Sequence, residues 1–124
     1  MNEVIPTGGL GRSIICLPEI AVDDSGIDID LSNDGIYKNK KENSAKDGYY
    51  FLLYNLGAVD VFIAFDSEAS NIDTTDTDNS DQTYNLILKA NGDRLDSRLL
   101  SLKAETISLI TKTAESSTVY AEIK

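Results

Sequence analysis

Tyr49-Tyr50-Phe51-Leu52-Leu53-Tyr54, then Asn55-Leu56-Gly57-Ala58, then Val59-Asp60-Val61-Phe62-Ile63-Ala64-Phe65 is the stretch whose reading decides the fold. The first block is aromatic and aliphatic, a composition that suits a pleated, packed strand. In the third block Val59, Val61, Ile63 and Phe65 share one face at period two, with Asp60, Phe62 and Ala64 on the other. Two such runs joined by Asn55–Ala58 predict an antiparallel hairpin.

The same rhythm continues downstream. Tyr84–Leu88 reads as a strand, Ala90-Asn91-Gly92-Asp93 as a turn, and Leu95–Leu102 as a further strand. Thr106–Thr111 is rich in β-branched residues, Ala114–Ser117 turns, and Val119, Ala121 and Ile123 face one way in a closing strand. A helix fits only over residues 93–105, where Leu95, Leu99 and Leu102 have helical spacing; Ser97, Ser101 and the lack of a clean cap weaken it. Residues 66–83 carry no sustained apolar pattern and four aspartates between Asp73 and Asp81, which predicts a long surface loop. Short strands with turns about every ten residues predict an all-β fold, a small antiparallel β-sandwich or jelly-roll-like barrel.

Upstream the texture differs. Pro6, Gly8-Gly9-Leu10-Gly11, Pro18 and Asp23-Asp24-Ser25-Gly26 interrupt the sequence, leaving the apolar runs Ile14–Leu17 and Ile20–Val22. Ile27-Asp28-Ile29-Asp30-Leu31 alternates strictly and predicts a short strand; Lys38–Asp47 is polar and basic, an exposed loop or linker. The division is therefore an extended N-terminal arm and linker over residues 1–47, able to contribute a strand, and a sandwich over 48–124. Domains below about 80 residues are marginal on burial alone. The sandwich is therefore expected to draw both on the arm, through strands such as Ile27–Leu31, and on other subunits to complete its core. Ile14, Ile15, Leu17 and Ile20 are the candidate partner-binding residues, anchors on an arm that orders on docking.

The composition excludes more than it assigns. Among 124 residues, 11 Lys plus Arg stand against 21 Asp plus Glu, a net charge of −10. That acidity opposes binding to nucleic acid and to anionic membrane surfaces. There is no His, the usual general base, common zinc ligand and ordinary pH switch. One Cys, Cys16, rules out an internal disulfide framework, and its apolar run suggests a small buried hydrophobe. Met1–Pro6 lacks a basic leader followed by a long apolar stretch, which predicts a product that stays in the cytoplasm where it is made.

Three chemistries need testing. Asp66 with Glu68, or Asp93 with Asp96, could form a carboxylate pair of the glycosidase kind, but their polar, turn-like settings read as solvated acid. Asp76-Thr77-Asp78-Asn79-Ser80-Asp81 places oxygens as an EF-hand begins, yet Asp81 stands where Gly is needed and Ile87 where the bidentate Glu belongs. A looser calcium site between this loop and the Asp23–Asp34 region stays open. Gly8-Gly9-Leu10-Gly11 is followed by no Lys-Ser/Thr, so it is no phosphate loop. No catalytic residue, cofactor or metal ligand is assigned, and a non-enzyme is expected.

The order of an aromatic strand, Asn55-Leu56-Gly57, Val59–Asp66, then Leu86-Ile87-Leu88-Lys89-Ala90-Asn91-Gly92-Asp93 and Ser117–Ile123 resembles small β-sandwich virion proteins of tailed bacteriophages. These are of the head-decoration, cement or fibre-base kind. The resemblance covers residues 48–124 and lies in turns and alternation. It implies a cofactor-free structural role on a symmetric particle, commonly as trimers or other cyclic assemblies. The expected partners are the major capsid or other virion proteins and further copies of the same protein. The protein would then be made in a bacterial host's cytoplasm and reside in the virion. The alternative is a β-sandwich module binding carbohydrate or calcium through the 66–83 loop and exposed tyrosines.

Overall fold

Alternation assigns each strand a face that must leave water, and the sequence supplies enough such strands for two sheets. The computed structural model describes residues 15–16, 19–31 and 50–123. Their strands are β1 (Ile15–Cys16), β2 (Ile20–Asp23), β3 (Ile27–Asp30), β4 (Phe51–Asn55), β5 (Val61–Phe65), β6 (Leu86–Leu88), β7 (Arg94–Asp96), β8 (Thr106–Ile110) and β9 (Ser116–Ile123). One antiparallel sheet has five strands in the order β1-β9-β4-β7, with β2 beside β1 on the same edge of β9. The other has four, in the order β3-β8-β5-β6. The fold is an all-β sandwich.

The core lies between the sheets. Phe51, Leu53, Val119, Ala121 and Ile123 from the five-stranded sheet meet Ile29, Val61, Ile63, Leu88, Ile107 and Leu109 from the other. Phe51 and Phe65 approach across the interior with ring centroids 5.4 Å apart. Residues upstream of 48 belong to this body: Val22, Ile29 and Leu31 are all buried in its core. Ile27–Asp30 forms the strand its alternation predicts, paired with β8.

The predicted hairpin is not there. β4 pairs with β7 and β9, β5 pairs with β6 and β8, and the two never pair with each other. Asn55–Asp60 is instead an arch that leads from one sheet to the other. The second arch, Lys89–Asp93, joins β6 to β7 in the same way and packs against the first. Asn55 explains why. Its side chain is completely buried, and its Nδ2 donates to the carbonyls of Val59 at 2.8 Å and Leu88 at 2.9 Å. Its Oδ1 accepts from Gly57 N at 3.1 Å and Ser117 Oγ at 2.6 Å. Its backbone bonds to Asp93 O and Gly92 N across the second arch. A hairpin would leave these groups in solvent; burial between two arches satisfies every one.

The outer face of β5 is not wet either. Phe62 and Ala64 form a second apolar cluster with Ala69, Ile72, Tyr84 and Ile110, and Tyr84 meets Phe62 edge-on at 5.0 Å. The loop over residues 66–83 is thus a lid on the four-stranded sheet, containing a 3-10 turn at Ala69–Asn71. The helical alternative at residues 93–105 reduces to a single 3-10 turn, Ser97–Leu100, following the three-residue β7.

Gly57 tests the arch directly, because a Cβ there would lie 2.0 Å from Ser117 Oγ and 3.0 Å from Ser117 Cα. Gly57→Ala is expected to lower unfolding stability by about 1–3 kcal/mol through this clash. Asn55→Ala, which strands buried donors and acceptors, is expected to cost about 3 kcal/mol or more. Urea titration with an unchanged slope measures both, and a neutral Asn55→Ala would contradict the packing described.

Candidate functional site

Carboxylates crowd the outer side of the four-stranded sheet. Asp28 and Asp30 of β3, Asp66, Ser67 and Glu68 at the start of the lid, and Glu105 and Thr106 entering β8 line an open cleft of about 440 Å³. Several of these acids accept from the protein's own polar groups. Asp28 Oδ1 accepts from Ala69 N at 2.8 Å and Ser108 Oγ at 2.7 Å, fastening the lid to the sheet. Asp66, at φ 55°, accepts from the amides of Glu105 and Thr106 at 2.9 and 3.0 Å. The candidate pair Asp66 and Glu68 therefore shares a cleft, with one member committed to backbone donors.

Asp93 and Asp96 do not form a pair. Asp93 accepts from Lys89 N and Arg94 N at the second arch, and Asp96 caps the 3-10 turn by accepting from Arg98 N at 3.1 Å. The same holds in the aspartate-rich loop. Asp76 accepts from Asp81 N at 2.7 Å, Ser80 N at 3.1 Å and Ser80 Oγ at 3.0 Å. Asp73 Oδ1 takes the amide and hydroxyl of Thr75. The amide of Asp81 leads the set of donors that holds the Asp76 carboxyl below its ordinary range. Among the described residues no group of three or more His, Cys, Asp or Glu is placed to hold a metal ion. Tyr84, which follows the loop, is buried under the lid, and burial pushes its phenol up.

The anchors expected on the arm are distributed differently. Ile14 and Leu17 lie outside the described residues. Ile15 pairs with Ile123, at the end of β9. Ile20 pairs with Val119 and is half-buried against the protein's own core. Cys16, expected to be buried, is exposed: it sits opposite Glu122 on the outward register of β9, where Tyr120 Oη donates to its sulfur at 3.3 Å. That bond, burial and the Glu122 carboxylate together raise the Tyr120 phenol.

Two surface features escape a reading of the sequence. Leu99 and Leu100 are 79% and 59% exposed at the tip of the 3-10 turn. The turn is well held: Ser97 Oγ accepts from Phe51 N at 2.8 Å, Leu102 N donates to Ser97 O, and Ser101 closes it in the left-handed conformation at φ 53°. Arg98 lies within this turn, and Lys103 follows it, over the Tyr50 ring at 5.0 Å. The Leu99-Leu100 pair is the available signal, masked by the fit of Leu99 to a helical stripe with Leu95 and Leu102. The second feature is a row across the outer face of the five-stranded sheet. Arg94, Tyr54 and Tyr120 are neighbours in register, with the tyrosine centroids 6.2 Å apart and Arg94 Nη1 donating to Tyr54 Oη at 3.0 Å.

Comparison with protein-family models, curated proteins and solved structures finds no match to this protein.

Asp76 yields a pH prediction. Its carboxyl titrates below the ordinary value in the folded state, so its contribution to stability is complete above the unfolded value and is lost as pH falls through the folded one. Melting temperature should therefore decline below about pH 4, near the unperturbed aspartate range. Asp76→Asn should flatten part of that decline while leaving the neutral-pH fold intact. An acid limb identical in the variant would show that these hydrogen bonds do not contribute.

Proposed function

We propose that this protein is a non-enzymatic structural component of a tailed-bacteriophage virion. In this reading it decorates or stabilises the capsid, or another head or tail component, through β-rich contacts with neighbouring subunits and with copies of itself. The observation that carries the reading is the Leu99–Leu100 prominence. Two adjacent leucines at 79% and 59% exposure are held out by a turn whose hydrogen bonds are already made. A rigid apolar tip loses little freedom on docking, and covering both leucines is worth about 3 kcal/mol. Arg98 and Lys103 flank it but are matched by Asp96, which caps the turn, and Glu105, so the apolar pair rather than charge supplies the attraction.

The alternation over residues 48–124 supports the same role by its resemblance to virion β-sandwich proteins, although Asn55–Asp60 forms an arch where that resemblance implied a hairpin. A trimer or other cyclic assembly suits a contact made between two different surfaces, because such contacts close into rings. Ile14 and Leu17 would be the anchors to neighbouring virion proteins, since Ile15 and Ile20 pair with β9, and β3 lies in the protein's own sandwich. The protein would be made in the bacterial host's cytoplasm and end in the particle. A carbohydrate-binding module is the second reading, favoured by the Arg94–Tyr54–Tyr120 row, which offers ring faces beside polar groups on an open sheet face.

Native mass spectrometry and sedimentation test the proposal. The purified protein is expected to form a cyclic oligomer, with a trimer favoured, and Leu99→Asp with Leu100→Asp should release folded monomers. A monomer at every concentration would overturn it, and a monomer retained on immobilised glycan through Tyr54 would favour the second reading.

A further inference from the structure

We infer that Asn91 is a self-modification site, a slow deamidation clock that the fold keeps stopped by holding the amide of Gly92. Asn91-Gly92 is the only Asn-Gly dipeptide in the 124 residues. Both residues are exposed, with φ values of 66° and 101°, as a turn with two left-handed central residues requires. A Cβ built on Gly92 meets nothing within 4 Å, so the turn faces open solvent. A glycine after asparagine presents a backbone nitrogen that no side chain shields from the neighbouring amide carbon.

The chemistry needs only water. The Gly92 nitrogen loses its proton and attacks Asn91 Cγ, forming a new C–N bond. The bond from Cγ to Nδ2 then breaks, ammonia leaves, and a five-membered succinimide remains. Water opens either of its carbonyls, giving aspartate or isoaspartate at position 91.

In the folded protein the first step is blocked. Gly92 N donates to Asn55 O at 2.7 Å, so its proton is held in that bond. Asn91 N donates to Gly57 O at 2.8 Å, fixing the other half of the turn. Both acceptors belong to the first arch, whose position depends on the buried Asn55 side chain. Reaction therefore requires the two arches to part. With each bond worth roughly a factor of five in that equilibrium, closure slows the reaction about 25-fold. The isoaspartate product is one-way: it adds a methylene to the backbone between the two donors, so both bonds cannot reform together. A molecule that opens long enough to react loses the clamp.

The test uses the full-length protein at mildly alkaline pH, folded or in urea sufficient to unfold it, with peptide mass spectrometry of the Asn91 segment over time. Conversion in the folded protein should be about 25-fold slower or more. Ser117→Ala, which removes a bond to Asn55 Oδ1 without touching the turn, should speed the folded-state reaction several-fold and leave the unfolded rate unchanged. Folded and unfolded rates within about twofold of each other would overturn the inference. So would a folded-state rate indifferent to Ser117→Ala.

Discussion

The structure depends on one buried amide. A sandwich of two sheets has to pass its backbone from one layer to the other, and each crossing takes polar groups out of the ladders that satisfy them. Asn55 resolves two crossings together, because its side chain has the two donors and the acceptor that Val59, Leu88, Gly57 and Ser117 require. Its backbone adds the bonds to Asp93 and Gly92. Neither Asp nor Leu, of similar size, could serve. Asp lacks the donors, Leu lacks both, and each would leave buried carbonyls unpaired.

The acidity of the protein takes a related meaning. Asp28, Asp66, Asp76, Asp93 and Asp96 all spend carboxylate oxygens on backbone amides in loops and turns. In a fold with a long lid and two arches, amides outside the sheets are plentiful, and a short carboxylate is an efficient acceptor for them. Much of the negative charge is thus the by-product of building irregular structure. It gives the surface a prevailing negative sign, broken by the uncharged Leu99–Leu100 tip.

The sandwich was legible because alternation in Ile27–Leu31, Val59–Phe65 and Val119–Ile123 is a local property. What escaped was non-local. Val59–Phe65 shows one apolar face and one mixed face, and nothing in that segment says that Phe62 will be roofed by Ala69, Ile72 and Tyr84 from a loop that looks hydrophilic. Likewise, Asn55-Leu56-Gly57-Ala58 carries the composition of a hairpin turn as well as that of an arch. The difference lies in Leu88 and Ser117, which are 33 and 62 positions away from Asn55. The surface features divide the same way: Leu99-Leu100 was readable as apolar, but its exposure follows from the bond between Ser97 and Phe51, 46 positions apart.

Contacts made by such a body to its neighbours are only as rigid as the arches that fix the two sheets together. Hydrogen exchange followed amide by amide measures that rigidity at its source. Gly57, Asn91 and Gly92 lie outside the strands, yet their amides are expected to exchange at least about 25-fold more slowly than unprotected loop amides, because each is released only when the two arches part. Exchange at these three positions at ordinary loop rates, with the strand amides still protected, would contradict the central place given to Asn55.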